Sequence, residues 1–279
     1  MEYLMTYGWA ILIIAVVLGA LFSLGVFNGA NFAPKAPPGA CQVFRPNGPG
    51  STSFINLEGV CNGELPEYVA NFQGTLSSNI SVTSMGLPVG SAARTITAWV
   101  DTTPNGQWET VVMWGIESND ELSTLAANPT GVTFSGYFND FDSSFIISNK
   151  WTFIAANYTA GANTITLYED GNSQTGSLSG GVALGTSSGT QLGIGNRISA
   201  GAAFSGSIAD VQIYNASLSA NDIQALYLEG IGGAPIDLQN LVGWWPLNGN
   251  ANDYSGNNND GTASNVIYTS SWTSGYSAP

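Results

Sequence analysis

The stretch KWTFIAANYTAGANTITLYEDGN, residues 150–172, contains two runs of aromatic and β-branched residues separated by a small polar segment. Runs of this composition and length are typical of β-strands. The second run ends at Asp170-Gly171, a dipeptide that favours tight hairpin turns because glycine readily adopts a positive φ. The stretch therefore predicts antiparallel strands joined by short connections.

Similar runs lie on both sides of this stretch, among them EYVANF, ISVTS, RTITAWV, ETVVMWG, VTFSGYF and SFIIS. In contrast, SANDIQALYLEG (residues 219–230) predicts a helix with Ser219 as its N-cap, Asp222 at its third position and Gly230 at its end. Many short strands with few helices are typical of a β-sandwich. The sequence therefore predicts that the chain after its N-terminal segment forms a mainly β domain, which we call the head.

Three segments resemble parts of laminin G-like, concanavalin A-like jelly rolls. Residues 150–172 resemble the paired central strands of that fold. FSGSIADVQIYNASLSANDIQALY (204–227) resembles the closing strand and its short helix, and LVGWWPLNGNANDYSGNNNDGT (241–262) resembles the strand and loop that open the domain. The resemblance covers most of residues 65–279 and implies an antiparallel jelly-roll β-sandwich over residues 41–279.

The order of these segments departs from that of the family. The opening segment normally comes first, whereas here it follows the closing helix after the linker IGGAPIDLQN. Residues 241–279 are therefore expected to supply the opening strands of their own head out of the usual order, as in a circular permutation. Two alternatives stay open: the segment inserts into the next subunit, or it is a truncated second repeat. Trp244 and Trp245 are adjacent and face opposite sides of a strand, so one is expected in the core and the other is at best exposed. Core packing, rather than stacking on sugar rings, is the expected use of the pair.

Residues 4–27 are mostly apolar and contain no proline. A helix of this length is roughly 36 Å long, enough to cross a bilayer. MEYLMTYGWAILII, in which Glu2 precedes the apolar run, resembles the N-terminal segment of type IV pilins and especially of archaeal pilin-like proteins. The resemblance implies that residues 1–27 form a long hydrophobic α-helix in a filament core. There Glu2 would pair with the α-amino group of a neighbouring subunit, and Ala15 and Gly19 would let helices pack closely.

Two features of the N-terminal segment depart from that family. Pilins usually carry this glutamate a few residues further along, and their short leader is not visible here. No Lys or Arg precedes the apolar run, unlike an ordinary cleaved secretory signal. The alternative is a simple membrane anchor. NGANFAPKAPPGA, residues 28–40, contains three prolines and predicts a stiff hinge before the head.

The chain has two cysteines, Cys41 and Cys61. An even number in an extracellular domain favours a disulfide, and two free buried thiols are the alternative. In the chain-entropy model, closing a loop of this length stabilises a fold by ~3 kcal/mol.

The chain carries 19 acidic and five basic residues and no histidine, which gives a net charge of −14. This charge argues against nucleic acid and anionic membrane surfaces as partners, because phosphates are bound by Lys and Arg. Without histidine, serine-nucleophile schemes lack their usual base. Jelly-roll glucanases need two carboxylates facing one sugar bond, as in an E-x-D-x-E strand, and the sequence has no such strand. The sequence therefore predicts no catalytic residues and no enzyme.

The loop NDYSGNNNDG, residues 252–261, is rich in the oxygen ligands that Ca²⁺ prefers. With the aspartate that relatives carry in the closing strand, it suggests a calcium site on Asp253, Asp210 and Asn257, and no other cofactor. The alternative is a turn in which Asn and Gly accept left-handed backbone angles. Asn79, Asn157 and Asn215 begin N-x-S/T motifs and are candidate glycosylation sites, although about this many would arise by chance.

Together these features predict a structural subunit of an extracellular, type IV pilus-like filament at the cell surface. Its helices would bundle in the core and its jelly-roll heads would lie outside, for adhesion. The expected partners are copies of the same chain in a helical filament and surface glycans, with membrane contact only before assembly. The alternative is a membrane-anchored, carbohydrate-binding, lectin-like surface protein.

Overall fold

The computed structural model describes residues 13–17, 41–52, 55–61, 64–83, 86–102, 108–128, 131–145, 147, 150–196 and 202–279. The chain divides into two compact units, Met1–Pro37 and Pro38–Pro279. In the first unit, residues 13–17 are helical and their apolar side chains are exposed. The rest of the predicted 1–27 helix and the predicted 28–40 hinge lie outside the described residues. Among the residues that are described, no helix combines the length and the apolar character that crossing a membrane requires.

The second unit is a sandwich of two antiparallel sheets, with strands numbered β1 to β17 along the chain. The first sheet contains, in spatial order, β12 (Asn172–Ser177), β11 (Thr164–Glu169), β10 (Thr152–Tyr158), β5 (Arg94–Thr102), β14 (Ser205–Tyr214), β3 (Val69–Gln73) and β17 (Ile267–Thr269), with β15 (Leu241–Trp245) also paired to β14. The second contains β16 (Gly261–Ser264), β4 (Asn79–Val82), β13 (Leu192–Ile194), β6 (Glu109–Gly115), β7 (Leu122–Asn128), β8 (Gly131–Ser135) and β9 (Asp140–Asp142). A separate hairpin pairs β1 (Cys41–Phe44) with β2 (Asn56–Gly59), and one helix spans Ala220–Leu228.

Apolar side chains pack on both faces of the first sheet. Strand β5 sends Ile96 and Ala98 into the main core between the sheets, whereas Trp99 points to the opposite face, as the two-residue period of a strand requires. On that outer face, Trp99 packs against Phe153 and against Tyr227 of the helix. The molecule therefore has a second, aromatic-rich cluster outside the first sheet.

The Asp170-Gly171 turn predicted from the sequence is confirmed. It joins β11 to β12, where Glu169 pairs with Asn172 and the two turn residues have φ values of 46° and 79°. Positive φ at both central residues is the pattern of the tight turns that suit the twist of paired strands. The Asp170 carboxylate also accepts a hydrogen bond from the backbone N–H of Phe153 (2.9 Å), which ties the turn to β10.

The predicted helix is confirmed together with its caps. The Ser219 hydroxyl accepts a hydrogen bond from the Asp222 backbone N–H (3.2 Å), and the Asp222 carboxylate accepts one from the Ser219 backbone N–H (3.0 Å). This capping box satisfies two N–H groups that the first helical turn would otherwise leave unpaired. Gly230, with a φ of 77°, follows the C-cap residue and ends the helix.

The C-terminal segment 241–279 contributes strands to both sheets of the same chain. Strand β15 pairs with β14, β17 pairs with β3, and β16 pairs with β4. Trp244 and Trp245 are only 3% and 0% exposed, so both pack in the interior, which is the use expected of the pair. Trp245 lies in the main core and Trp244 in the outer cluster, since further elements cover the outer face of the first sheet.

The predicted disulfide between Cys41 and Cys61 is present and joins the ends of the β1–β2 hairpin. Arg45, directly after β1, fastens this hairpin to the C-terminal part of the head. Its guanidinium donates hydrogen bonds to the backbone carbonyls of Ser255 (2.9 Å) and Leu241 (2.8 Å), and to those of Leu238 and Ser51. The buried Arg45 side chain thus connects the start of the head to its C-terminal part.

Candidate functional site

A polar groove of about 840 Å³ crosses the outer face of the first sheet. Its floor comes from β3, β5 and β14, and one wall comes from β17 and the residues after it. The lining side chains used below are those of Asn71, Gln73, Asp101, Ser205, Ser207, Ile267 and Trp272. This volume lies within the range of small-molecule binding sites in proteins.

The register of the strands places the floor residues side by side. Ser207 of β14 pairs with Asn71 of β3 on one side and with Asp101 of β5 on the other. Asn71 is in turn paired with Ile267 of β17, and Ser205 is paired with Gln73. Directly opposed residues share one face of a sheet. An amide, a hydroxyl and a carboxylate therefore form a continuous row across three strands.

The sequence of β3 explains why these polar groups face outward. In VANFQ, Ala70 and Phe72 alternate into the main core, which leaves Asn71 and Gln73 on the other face. Strand β5 follows the same rule, because Asp101 lies two residues after Trp99 of the outer cluster. The aromatic cluster covers one part of the outer face, and the polar row begins where that cluster ends.

A hydrogen-bond chain orients the two amides. The Gln73 side-chain N–H donates to the Asn71 side-chain oxygen (2.7 Å), and the Asn71 side-chain N–H donates to the Ser207 hydroxyl (3.2 Å). Within the part of the chain that the structure describes, no hydrogen bond uses the Gln73 side-chain oxygen or the Ser207 hydroxyl proton, so both can contact a ligand.

Asp101 differs from the other floor residues. Within the described residues its carboxylate makes no hydrogen bond or ion pair, and partial burial raises its pKa above the usual value. The described lining residues include no cation. The floor is therefore suited to an uncharged ligand that offers hydroxyl protons to Asp101.

Gly206 lets the floor strands approach each other closely. It has a φ of 140° and is paired with Phe72 and Thr102. A Cβ at this position would lie 2.3 Å from the backbone oxygen of Asp101. Any side chain here would therefore push β14 away from β5 and disturb the row beside it.

The groove wall is anchored by Trp272, whose side chain is nearly buried. Its indole N–H donates to the Pro66 carbonyl (3.1 Å), and its backbone oxygen accepts a hydrogen bond from the Trp151 indole N–H (2.9 Å). Ile267, which is 56% exposed, adds an apolar edge at the end of the polar row. A polar floor beside apolar edges can bind ligands that have both hydroxyls and C–H faces.

The residues predicted to bind calcium lie in one region, but their contacts do not fit a cation. Both carboxylate oxygens of Asp253 accept hydrogen bonds, from the backbone N–H groups of Trp244 (3.0 Å) and Asn259 (2.9 Å) among others. The Asn257 side-chain N–H donates to the Leu241 and Val242 carbonyls, both at 2.9 Å. Donors thus point at the Asp253 oxygens that a cation would need, and the loop has the contacts of the alternative, a structural turn. The calcium site stays a prediction, and these hydrogen bonds argue against it.

Asp210 lies in a β-bulge of β14 with a φ of 48° and is almost fully buried. Its carboxylate accepts hydrogen bonds from the Trp244 indole N–H (2.7 Å) and from the Gln212 side chain. Burial raises its pKa to about 7. These contacts join β14 to the C-terminal segment and leave Asp210 away from solvent.

The remaining predicted sites are the three glycosylation motifs and the three assembly residues. Asn215 is exposed, whereas the Asn157 side-chain N–H donates to the Leu218 carbonyl (2.9 Å) and the Asn79 side chain bonds the Leu76 carbonyl (3.2 Å). Of the predicted assembly residues, Ala15 lies in the described helical turn, and Glu2 and Gly19 lie outside the described residues.

A two-sheet antiparallel sandwich is the architecture of a concanavalin A-like jelly-roll domain. The chain belongs to the concanavalin A-like lectin/glucanases superfamily, whose family model matches residues 73–224. The C-terminal segment that completes both sheets lies beyond the matched range. No curated protein sequence matches the chain.

Solved structures share this fold at low sequence identity. A candidate carbohydrate-binding protein from Bacteroides ovatus is similar with a TM-score of 0.54 and 16% identity, over 78% of this chain and 64% of that one. The heptameric SAP-like pentraxin of Limulus polyphemus is similar with a TM-score of 0.50 and 12% identity, over 74% of this chain and 95% of that one. The chain therefore spans about two thirds of the Bacteroides protein, and both likenesses concern the fold.

Proposed function

We propose that this chain is a cell-surface, carbohydrate-binding, lectin-like protein that holds a neutral saccharide in the groove on its first sheet. The observation that carries the proposal is the row formed by Asn71, Ser207 and Asp101 across β3, β14 and β5. A saccharide offers many hydroxyls, which both donate and accept hydrogen bonds. The row presents an amide, a hydroxyl and a carboxylate within one groove, so it can bind such a ligand at several points.

Electrostatics support an uncharged saccharide over an anionic one. The described groove lining contains a carboxylate and no Lys or Arg, and the whole chain has a net charge of −14. An anionic ligand would be repelled at long range and would find no cation among the described residues of the groove lining. The family membership and the fold shared with the Bacteroides protein support a carbohydrate as the ligand class.

We propose binding without catalysis. Glycoside hydrolysis requires two carboxyl groups placed across the sugar bond, about 5–10 Å apart. The described lining of the groove contains one carboxyl group, that of Asp101. Asp101 therefore acts as a hydrogen-bond acceptor for sugar hydroxyls, and bound saccharide is expected to leave the groove unchanged.

A glycan array probed with the purified head, followed by calorimetric titration of the best oligosaccharide, tests the proposal. The Asp101→Asn variant keeps the shape of the side chain and removes its charge. Because hydrogen bonds to charged groups are worth ~1.5–3 kcal/mol, affinity should fall roughly tenfold or more. Glu64→Gln removes the charge of an exposed carboxylate outside the groove and should bind normally. Equal affinity in wild type and Asp101→Asn would reject the groove as the binding site.

The second candidate function is that of a subunit of an extracellular, archaeal type IV pilus-like filament. The observation behind it is the apolar segment of residues 4–27, preceded by Glu2. The helical conformation and exposure of residues 13–17 support a helix that packs against other molecules. In such a filament the lectin-like heads would face outward and bind glycans with high avidity.

Electron microscopy of the purified full chain tests the filament candidate. Filaments are expected for wild type, and Glu2→Ala should impair their assembly if Glu2 pairs with a neighbouring α-amino group. Wild-type chains that remain single in lipid or detergent would reject filament assembly and leave the membrane-anchored form of the proposal.

A further inference from the structure

The turn between β8 and β9 carries two aromatic residues, Tyr137 and Phe138, in left-handed backbone conformations. Their φ values are 63° and 58°, and the Gly136 backbone N–H donates to the Asn139 carbonyl (3.1 Å) to close the loop. Two-residue turns of this kind favour Asn-Gly, because a bulky side chain is strained at positive φ. The chain thus keeps two large aromatic side chains where small residues would be more stable.

Neighbouring loops hold this turn in place. The buried Asn139 side chain donates to the Val182 carbonyl (3.0 Å) and accepts from the Gly180 backbone N–H (2.9 Å). The Tyr137 carbonyl accepts a hydrogen bond from the Asp120 backbone N–H (3.3 Å). Contacts with residues outside the turn therefore fix the position of the two rings and stabilise the strained backbone.

The Phe138 side chain is 71% exposed. It meets the half-buried Tyr137 ring edge to face, with 4.7 Å between the ring centroids. Tyr137 thus supports the ring, and most of the Phe138 surface remains in solvent. A soluble protein gains no stability from an exposed ring on a strained backbone, so the arrangement suggests selection for contact with a ligand.

The aromatic turn and the groove lie at opposite ends of the sandwich. Strand β5 begins at Arg94, whose guanidinium donates to the Thr186 hydroxyl (2.7 Å), and it ends at Thr102 in the groove lining. Thr186 follows Gly185, whose N–H bonds the carbonyl of Asp120 in the loop that holds Tyr137. Strand β5, which runs between these two ends, is roughly 26 Å long.

We propose that Phe138, supported by Tyr137, is a second saccharide site, at which the ring stacks on the C–H face of a single pyranose. The inference takes from the proposed function only the class of ligand, a saccharide. It does not depend on the groove, because the two sites share no residue. One exposed ring matches the size of one sugar ring, whereas a specific protein interface buries about 800 Å² on each partner. The net charge of −14 disfavours an anionic membrane as the ligand. Two sites on one head would strengthen binding to a repeating polysaccharide.

Two variants separate a binding role from a structural one. Phe138→Ala should weaken binding at this turn about tenfold, since ring contacts of this kind contribute of that order. The double variant Tyr137→Asn, Phe138→Gly supplies the residues that the turn prefers, so its melting temperature should rise by a few degrees while binding at the turn is lost. A double variant that melts lower than wild type, or that binds as wild type does at the turn, would contradict the inference.

NMR titration of the labelled wild-type head with gluco-, galacto-, manno- and N-acetylhexosamine oligosaccharides shows which site responds. Shifts of the Phe138 ring signals support the second site, and shifts of the Asn139 backbone amide should accompany them in wild type and be lost in Phe138→Ala. Shifts of the Asn71 and Gln73 side-chain amides report the groove. If the groove amides shift and the Phe138 ring does not, the second site is overturned and the proposed function stands. If only the Phe138 ring shifts, the groove is overturned as the binding site and the second site stands. A head in which neither group of signals shifts with any of these oligosaccharides would overturn both.

Discussion

The Trp244 indole N–H donates a 2.7 Å hydrogen bond to the carboxylate of Asp210, and both side chains are buried. Trp244 belongs to the C-terminal segment and Asp210 to the closing strand, so this bond lies at the junction between the two. Burial raises the Asp210 pKa from 3.8 to about 7, although hydrogen bonds from Gln212 and Trp244 act in the opposite direction. The charged form of Asp210 is therefore a cost to the folded state near neutral pH.

We expect the head to become more stable as the pH falls from 8 towards 4. The folded-state pKa of Asp210 is raised, so folding favours its protonated form. Its contribution to the free energy of unfolding is fully present below the unfolded pKa and is lost as the pH rises through about 7. A shift of this size corresponds to roughly 4 kcal/mol, an upper figure for a buried group.

The Asp210→Asn variant isolates this contribution. Asparagine can still accept the Trp244 N–H, and a flip of the Gln212 amide would pair it with the new side-chain N–H groups while keeping a partner for Tyr214. The variant should be more stable than wild type at pH 8, with the difference vanishing near pH 4, as measured by urea unfolding. Glu64→Gln, at an exposed site, should show no such difference. A constant offset between Asp210→Asn and wild type at all pH values would contradict the assigned pKa.

The disulfide closes the β1–β2 hairpin, and Arg45 fastens that hairpin to the rest of the head. Cys41 and Cys61 are 20 residues apart in sequence. Replacing both by Ser should lower the free energy of unfolding by about 3 kcal/mol, because the open chain regains loop entropy. Chemical denaturation measures this loss, and reduction of wild type with dithiothreitol should match it. A double variant as stable as wild type would show that the hairpin contributes little to folding.

The local parts of this fold could be predicted from the sequence. The Asp170-Gly171 turn and the capping box of Ser219 and Asp222 depend on residues within a few positions of each other. Their side chains and backbone preferences are therefore sufficient to define them. The composition of short runs such as RTITAWV, rich in aromatic and β-branched residues, predicted the β-sandwich for the same reason.

The groove could not be predicted, because it depends on strand register between distant segments. Asn71, Asp101 and Ser207 meet only when β3 and β5 flank β14 in one specific alignment. The alternation in VANFQ places Asn71 and Gln73 away from the core, which was the available signal. Nothing local identifies their neighbours, however. The partners of Trp244 in the outer cluster could not be predicted for a similar reason, since most of them are remote in sequence.

The C-terminal segment should be essential to the fold of its own chain. Trp245 is fully buried in the main core, and its indole N–H donates to the Asn259 carbonyl (3.0 Å). Trp245→Ala should therefore lower the free energy of unfolding by ~3–5 kcal/mol. The exposed Leu65→Ala should change it by less than about 0.5 kcal/mol.

The mass of the head measured by light scattering complements this variant. A head of residues 41–279 should be monomeric if the segment completes its own sheets, as the pairing of β15 with β14 implies. A stable exchanged dimer would show that the segment is donated to a neighbour. A wild-type-like Trp245→Ala would show that the segment is dispensable.

The three N-x-S/T motifs should differ in glycan occupancy. Asn215 is exposed after the end of β14, so its side-chain amide is accessible. The Asn157 amide lies within β10, donates to the Leu218 carbonyl (2.9 Å) and accepts from the Thr95 hydroxyl (3.1 Å). Peptide mass mapping of protein from a glycosylating host should find sugar on Asn215 and none on Asn157. Asn215→Gln should remove that mass, while glycan on Asn157 would contradict the buried contacts.

Saccharide binding in the groove should weaken on acidification. Partial burial raises the pKa of Asp101, so its carboxylate becomes protonated at a higher pH than that of an exposed aspartate. A carboxylate accepts hydrogen bonds from sugar hydroxyls more strongly than a carboxylic acid does. Affinity should therefore be full above the raised pKa and fall by about tenfold below it. Calorimetric titrations across pH should give a flat profile for Asp101→Asn, whereas Glu64→Gln should follow the wild-type curve. An Asp101→Asn variant that retains the wild-type pH profile would show that another group controls binding, and Asp101 would no longer be assigned to the site.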